Sequence, residues 1–290
     1  MFAKLMKLWK KSPLAGHGLT KNPFILFLYR FGIRLSGQNK VIIEGHKMRF
    51  DEFFGAGIRE TGSYEPFDTE LVKRIIKPGF ICVDIGANAG YYSLLFAKLA
   101  GASGRVYAFE PEKNNYKMLL ENIRSNKYTN IITKQCAVSD TSGFLKLHIS
   151  NDNAGDHRIA GAGAKGKFQE VEVVTIDSYF KGKIDRVDYV KLDIQGADFK
   201  AIKGMENVIK NNPAIMIQSE FWPAGLLKMG NTAGEFLIFL KDNGFYVYDI
   251  IECSRLNEWK PADSKELLSR YTPENNLFTD IFAVRKKVEF

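Results

Sequence analysis

"FICVDIGANAG", residues 80–90, is the stretch of sequence that decides the fold of this chain. Its first six residues are apolar except Asp84, which is typical of a buried strand. Gly86 and Gly90 then mark a turn, and the residues as far as Ala100 have the composition of a helix. A strand that passes through a glycine turn into a helix is the first unit of an open α/β sheet. Such sheets bind ligands at the carboxyl ends of their strands.

The same alternation continues on both sides of this stretch. Helices are predicted over 69–76, 113–126, 197–210 and 233–243, and strands over 106–109, 131–138, 189–192, 214–219, 246–251 and 280–285. Alternating strands and helices predict a mostly parallel sheet that is covered by helices on both faces. The sequence therefore predicts a doubly wound α/β sheet of seven strands, in which the last strand is antiparallel.

One region interrupts the alternation. Two further strands are predicted over 144–149 and 170–174, and they flank a loop over 151–167 that is rich in Gly, Ala and Lys. This composition fits a mobile lid that closes over a substrate, and it equally fits a surface loop without a role. Both interpretations stay open at this stage.

The positive charge of the chain is concentrated at its N-terminus. Residues 1–40 hold eight Lys and Arg and no acid, whereas residues 41–290 hold 33 basic and 33 acidic residues. The net charge of +8 therefore describes a basic segment, and the balanced remainder does not favour nucleic-acid binding. We expect two parts, a basic amphipathic helical extension over 1–40 and a catalytic domain over 41–290.

The N-terminal segment allows two interpretations. Its apolar residues recur with helical spacing, but neither apolar stretch reaches the about 20 residues of a membrane span, and no signal-peptide cleavage site follows. In the first interpretation residues 1–35 lie on an anionic membrane and bring the enzyme to a lipid-linked substrate. In the second they pack on the domain or on a second subunit of a homo-oligomer. Three widely spaced cysteines indicate buried thiols and a cytoplasmic protein, at most peripheral at the inner membrane surface.

The glycine turn favours one kind of cofactor over another. A dinucleotide site requires glycine where this chain has Asn88 and Tyr91. Glu110 ends the second strand, where its carboxylate can accept both hydroxyls of a ribose, and Asp84 suits a cationic ammonium group. Helix amides behind the turn favour a carboxylate. Together these groups describe an adenosyl amino acid better than a dinucleotide.

Four motifs carry a resemblance to a known family. The segments 83–95 (VDIGANAGYYSLL), 105–111 (RVYAFEP), 190–198 (VKLDIQGAD) and 219–223 (SEFWP), with the lead-in 62–66 (GSYEP), resemble the FkbM-type methyltransferases over about residues 62–250. The resemblance implies a class I, Rossmann-like methyltransferase fold, S-adenosylmethionine as the cofactor and O-methylation of a sugar, polyketide or similar hydroxylated compound. The family usually has two glutamates where this chain has Gln195 and Asp198, so an acid or metal-ligand role does not transfer to Gln195.

Candidate site residues follow from these motifs. We expect no metal, because the sequence has no H-x-x-x-H pair and no cluster of Cys and His. Asp193, at the end of the fourth strand, is the first candidate for a base or a ligand of the methionine end. The other catalytic candidates are Asp198, Glu220 and His157. Contacts to S-adenosylmethionine are expected from Glu65, Asp84, Gly86, Asn88, Gly90, Tyr91, Glu110, Pro111, Ala137 and Asp193.

Three functions remain open from the sequence. The first is an S-adenosylmethionine-dependent methyltransferase that acts on a hydroxylated small molecule, a glycan or a glycolipid. The second is an oxidoreductase that binds NAD, and the third is a module that binds the cofactor without turnover. Fold alone does not choose among them, because acceptor sites are built from variable loops.

Overall fold

The computed structural model describes residues 40–50, 64–149, 158–159 and 167–288. The predicted helices over 1–35 and the candidate His157 lie outside these residues. The strands are β1 Lys40–Ile43, β2 His46–Arg49, β3 Ile81–Ile85, β4 Arg105–Phe109, β5 Ile131–Lys134, β6 Ala137–Val138, β7 Gly143–Ile149, β8 Arg158–Ile159, β9 Lys167–Val174, β10 Tyr189–Leu192, β11 Met216–Phe221, β12 Tyr246–Asp249 and β13 Thr279–Val284. Within the described residues, no helix is long and apolar enough to cross a membrane.

The helices connect these strands. They are α1 Pro66–Ile75, α2 Tyr91–Ala100, α3 Lys113–Asn126, α4 Ile176–Phe180, α5 Asp198–Lys203, α6 Glu206–Asn211, α7 Pro223–Lys228, α8 Ala233–Asp242, α9 Ile250–Leu256 and α10 Ser264–Arg270. Helix α3 has the predicted bounds, and Glu112 caps it by accepting hydrogen bonds from the backbone N–H groups of Asn114 and Asn115.

The central sheet has seven strands in the order β12-β13-β11-β10-β3-β4-β5. Strand β13 is antiparallel to both of its neighbours, β11 and β12, and the other pairings are parallel. The predicted doubly wound sheet with an antiparallel last strand is therefore confirmed. Strand β3 is the third strand from the β5 edge and pairs with β10, the middle strand. The strand order reverses between these two strands, which is where open sheets bind ligands.

Both faces of this sheet are buried. Consecutive residues of β3 alternate between the faces, so Cys82 packs in one core cluster and Val83 in the other. This is why the strand is apolar along its length rather than at every second residue. Asp84 is the exception, and it is buried with only 3% of its surface exposed.

The region around residue 137 differs from the prediction. The predicted strand over 131–138 is two strands, because the chain leaves the central sheet after Lys134 and β6 pairs with β9 instead. With β7 and β8, these strands form a second sheet in the order β6-β9-β7-β8. Part of the predicted loop over 151–167 therefore belongs to this sheet, since β8 pairs with β7.

Two other predicted elements have different bounds. The helix over 197–210 is divided into α5 and α6 at Gly204, where a Cβ atom would lie 2.0 Å from the carbonyl oxygen of Ser139. The strand over 246–251 ends at Asp249, whose side chain accepts a hydrogen bond from the N–H of Glu252 and starts α9. The hairpin of β1 and β2 was not predicted.

Candidate active site at the carboxyl ends of the central strands

The glycine turn joins β3 to α2 and packs directly against the end of β10. Gly86 and Gly90 have φ angles of +85° and +91°, which glycine adopts without strain. A Cβ atom on Gly86 would lie 2.2 Å from the carbonyl oxygen of Asp193, and one on Gly90 would lie 2.5 Å from Leu119. The N–H groups of Gly86 and Ala87 donate to the carbonyl of Phe109, both at 3.0 Å. Glycine at position 86 thus permits the close approach of the carboxyl ends of β3, β4 and β10.

Two adjoining cavities open at this turn. The first, which we call the apolar cleft, is lined by Ile85, Gly86, Asn88, Phe109, Glu110, Pro111, Asn115, Cys136, Ala137, Val138, Leu147, Asp193, Ile194, Gln195 and Ala197. The second, the acidic chamber, has a volume of about 210 Å³ and is lined by Phe50, Tyr64, Glu65, Asp84, Gly86, Ala87, Asn88, Ala89, Tyr91, Tyr92, Lys191, Asp193, Gln195, Glu220, Phe278 and Asp280. They share four residues, Gly86, Asn88, Asp193 and Gln195.

Glu110 is the carboxyl group that lines the apolar cleft alone, since Asp193 lines both cavities. Its two oxygens accept hydrogen bonds from the backbone N–H groups of Asn88 and Glu112, both at 2.8 Å. Burial raises the pKa of Glu110 to about 8, although these two hydrogen bonds favour the charged form. A carboxylate has about four acceptor positions, so hydroxyl groups in the cleft can still bind it.

Asp84 is held by the helix that follows the turn. The hydroxyl of Ser93 donates to its carboxylate at 2.5 Å. Burial raises the pKa of Asp84 to about 6, and the Ser93 hydrogen bond and the nearby Lys191 oppose this effect. The carboxyl group lies in the wall of the acidic chamber, as expected for a group that contacts an ammonium.

Lys191 is buried in β10 and faces three partners. Its Nζ atom lies 3.4 Å from Asp193 Oδ2, 3.9 Å from Glu65 Oε2 and 4.4 Å from the centre of the Tyr92 ring. Burial alone would lower the pKa of Lys191, but Asp193, Glu65, Asp280 and Asp84 raise it well above its usual value. Lys191 therefore remains an ammonium group and pairs the carboxylates around it.

Glu65 reaches the chamber from the start of α1. It has a left-handed backbone conformation with φ 42°, and its side chain accepts a hydrogen bond of 2.8 Å from the hydroxyl of Tyr92. Burial raises the pKa of Glu65, and Lys191 opposes that rise. The lead-in to the domain is thus fixed against β10 by polar contacts.

Glu220 and Asp280 form the far wall of the chamber. They lie directly opposite each other in the antiparallel pairing of β11 with β13. Burial raises the pKa of both carboxyl groups well above the usual value, and in each case nearby carboxyl groups add to the effect. The Oε2 atom of Glu220 is buried and has no hydrogen-bond partner among the described residues.

The structure brings together most of the residues predicted for the site. Asp193 lies at the junction of the two cavities, and Pro111 and Ala137 lie in the apolar cleft. Tyr91 lines the chamber, where its hydroxyl is within 2.8 Å of the Thr69 hydroxyl. Gly90 lines neither cavity and instead packs against Leu119.

Asp198 is placed differently from the other candidates. It lines neither cavity and is completely buried, where it accepts hydrogen bonds from the Gly196 N–H at 3.1 Å and the Ser219 hydroxyl at 3.4 Å. Burial raises the pKa of Asp198 to about 7, and the nearby Asp193 adds to this effect. These contacts favour a positioning role behind the site, so a catalytic role for Asp198 remains an untested prediction.

The chamber residues that were not identified from the sequence as members of the site include Lys191, Asp280 and Phe278. Lys191 had a detectable signal, since a lone charge in the middle of a buried strand is rarely tolerated without a partner. Asp280 begins an antiparallel strand, so its position at the shared strand edge follows once the direction of β13 is known. Phe278, in the loop before β13, had no comparable signal, because loop positions depend on tertiary packing.

The two cavities fit the parts of S-adenosylmethionine. The apolar walls suit the adenine ring, and Glu110 in the same cleft suits the ribose hydroxyls. The carboxyl groups of the chamber suit the positively charged sulfonium and ammonium groups. The partnerless Glu220 Oε2 shows that the chamber has unused hydrogen-bonding capacity.

Among known proteins, this chain is similar to several methyltransferases. Hexuronic acid methyltransferase AglP of Haloferax volcanii is 24% identical over 137 residues, which are 47% of this chain and 54% of that protein. 2-O-methyltransferase NoeI of Sinorhizobium fredii is 24% identical over 167 residues, which are 52% of this chain and 68% of that protein. Across the curated relatives that it matches, the chain spans between 32% and 68% of their length.

A solved structure and a family model also match this chain. The crystal structure of methyltransferase FkbM from Methylobacillus flagellatus aligns with a TM-score of 0.41 and 16% identity, covering 78% of this chain and 52% of that one. The family model of the methyltransferase FkbM domain matches residues 84–247, which include the glycine turn and the ends of β4, β10 and β11. The chain therefore belongs to the FkbM methyltransferase family, and residues 84–247 form its methyltransferase FkbM domain.

Proposed function

We propose that this protein transfers the methyl group of S-adenosylmethionine to a hydroxyl group of a small molecule, a glycan or a glycolipid. The observation that carries the proposal is the position of Asp193, which lines both cavities at their junction. An acceptor in the chamber and a nucleoside in the cleft would meet beside this carboxylate. The name of one relative, a 2-O-methyltransferase, supports an oxygen acceptor, and the name of another, a hexuronic acid methyltransferase, supports a sugar as the acceptor molecule.

Each residue of the site has a separate role in the proposed reaction. S-adenosylmethionine supplies a methyl group that its sulfonium already activates. Glu110 would accept the ribose hydroxyls, while Asp84 and Glu65 would face the ammonium end. The protein must place an acceptor oxygen in line with the methyl group, which is chiefly a matter of positioning. Asp193 would receive the proton that the acceptor hydroxyl loses.

Calorimetry with S-adenosylhomocysteine tests the cofactor assignment. We expect the wild-type protein to bind with micromolar or better affinity, and Glu110→Ala to weaken binding by about tenfold or more, because the ribose hydroxyls lose a charged acceptor. Glu70→Ala is the matched control, since Glu70 pairs with Arg74 on the surface. No heat with S-adenosylhomocysteine, or heat only with NAD, would overturn the proposal in favour of an oxidoreductase.

Methyl transfer tests the assignment of Asp193. The protein would be incubated with S-adenosylmethionine labelled at the methyl carbon and with a panel of sugars, and labelled methyl ethers would be detected. Asp193→Asn should still bind S-adenosylhomocysteine but lose about 10²-fold or more of the rate, which is the usual contribution of a general base. If the Asp193→Asn variant turns over at the wild-type rate, Asp193 is not the base. If the wild-type protein itself binds the cofactor but methylates no sugar of the panel, the protein is a binding module.

A further inference from the structure

The acidic chamber has an unusual balance of charge. Its described lining includes the carboxyl groups of Glu65, Asp84, Asp193, Glu220 and Asp280. Against these, the part of the lining that the structure describes offers one basic side chain, Lys191. Any ligand that enters the chamber therefore meets hydrogen-bond acceptors and acids on several sides.

Lys191 is not available to a ligand with a negative charge. Its side chain has 2% of its surface exposed, and its ammonium group is directed to Asp193, Glu65 and the Tyr92 ring. An ammonium that already pairs two carboxylates and a ring has little capacity for a third anion. An anionic acceptor would lose its water and gain no cation in return.

Glu220 and Asp280 point to the kind of ligand that the chamber would take. Two acids directly opposite each other in an antiparallel pair destabilise a sheet when both are ionised, yet Glu220 and Asp280 occupy such a pair at the chamber wall. The side chain of Glu220 is more than nine-tenths buried, and its Oε2 atom has no partner among the described residues. Both features are accounted for if hydroxyl or ammonium groups of a ligand bind between the two carboxyl groups.

Phe278 adds an apolar wall to the same subsite. It lies two residues before Asp280, it lines the chamber, and 56% of its surface is exposed. A large exposed aromatic side chain beside hydrogen-bonding groups is a common arrangement in ligand sites. The ring can cover the C–H face of a ligand whose hydroxyls contact Glu220 and Asp280.

We infer that Glu220, Asp280 and Phe278 form an acceptor subsite that takes neutral or cationic hydroxylated compounds and excludes anionic ones. This inference rests on the proposed function and specifies its substrate class. The exclusion requires only one of the two carboxyl groups to be ionised, because a single buried carboxylate at the chamber wall already repels an anionic ligand.

Saturation-transfer NMR on the full chain tests the inference. With S-adenosylhomocysteine at saturation, three probes with one ring would be compared: methyl α-glucopyranoside, its 2-amino-2-deoxy analogue and methyl α-glucuronopyranoside. We expect clear saturation-transfer signals from the neutral sugar and the amino sugar. The signal of the glucuronide should be at least about fivefold weaker. Equal or stronger saturation of the glucuronide, or no saturation of any probe, would overturn the inference.

Variants assign the effect to the named residues. The double variant Glu220→Gln, Asp280→Asn should lose the signal of the amino sugar by about fivefold and reduce the discrimination against the glucuronide. Glu206→Gln, on the surface of α6 with Lys210 as its partner, should leave the three signals unchanged. Discrimination that persists in the double variant would overturn the assignment.

The same samples separate this inference from the proposed function. Calorimetry with S-adenosylhomocysteine is carried out first on each sample, and it also shows that each variant has folded. If the wild-type protein binds S-adenosylhomocysteine but does not discriminate among the sugars, the proposed acceptor subsite is overturned and the proposed function is not. Failure to bind S-adenosylhomocysteine would overturn the proposed function itself.

Discussion

The apolar cleft and the acidic chamber adjoin each other, but they are stabilised differently. The cleft is walled mainly by apolar side chains. Besides Asp193, which it shares with the chamber, it holds one carboxyl group, Glu110, whose oxygens accept hydrogen bonds from backbone N–H groups. The chamber holds five carboxyl groups and depends on side chains that contact one another, with Lys191 at their centre. The difference suggests a comparison that can be tested: a chamber that depends on contacts among charged side chains should be more sensitive to the loss of one residue than a cleft walled by apolar side chains.

The largest effect is expected from Lys191→Met. Removing one partner of a buried charge network typically costs about 3–5 kcal/mol of the free energy of unfolding, because uncompensated charges remain buried. Urea denaturation measures this loss. The control is Lys210→Met, whose exposed pair with Glu206 should contribute less than about 1 kcal/mol. A loss for Lys191→Met as small as that of the control would mean that the chamber does not depend on its lysine.

The next effect concerns the turn that both cavities share. Gly86→Ala should cost about 3 kcal/mol of stability, since the positive φ angle and the contact with the Asp193 carbonyl are both unfavourable for a Cβ atom. Thermal unfolding and calorimetry with S-adenosylhomocysteine measure the loss of stability and affinity. Gly101→Ala is the control, because Gly101 also has a positive φ angle but no atom lies within 4 Å of the added Cβ. If both variants behave alike, backbone strain alone explains the effect.

A smaller effect is expected from pH on the affinity for S-adenosylhomocysteine, and its source is the Glu110 carboxyl group in the apolar cleft. The pKa of Glu110 is raised to about 8, so its charged form, which accepts ribose hydroxyls best, decreases as the pH falls below 8. The affinity for S-adenosylhomocysteine should therefore fall between pH 8 and pH 6, by at most about tenfold for each pH unit. Calorimetry across this range is the measurement. Glu110→Gln should bind more weakly and lose the dependence, and the same slope in both proteins would exclude Glu110 as its source.

The smallest effect is expected from Asp198→Asn, behind both cavities. The amide keeps one acceptor oxygen but cannot accept from both Gly196 and Ser219, so we expect a loss of about 1 kcal/mol of stability. The dissociation constant of S-adenosylhomocysteine should change by less than about twofold, because Asp198 lines neither cavity. A large fall in the rate of methyl transfer at unchanged stability and affinity would instead support the catalytic role.

The sequence predicted the parts of the site that local patterns encode. Asp84, Asp193 and Glu220 each lie at or directly after the end of a predicted strand, so they could be placed at one edge of the sheet before their neighbours were known. Helix α3 was predicted with the bounds that the structure has, and the structure adds Glu112 as its capping residue. Strand β6 was missed because the two-residue turn after Lys134, which moves the chain to another sheet, has no distinctive sequence.

Contacts between distant parts of the chain could not be predicted in this way. Lys191 meets Glu65, which lies 126 positions earlier in the sequence, and Glu220 meets Asp280 through the pairing of β11 with β13. Whether a buried charge is paired depends on which strands become neighbours, and one sequence does not state their order. The alternatives for residues 1–35 and for His157 remain predictions, since they lie outside the described residues.

The sequence by itself therefore determined the α/β class, the glycine turn, the resemblance to the FkbM-type methyltransferases and most of the residues at the strand ends. These features depend on periodicity and on backbone conformations that only glycine adopts easily, and both can be recognised within short segments. Only the tertiary structure decided that one buried lysine serves several carboxyl groups and that Asp280 closes the chamber. The physical reason is that charge pairing depends on distance in space, and antiparallel β13 brings its first residues to the edge where the parallel strands end.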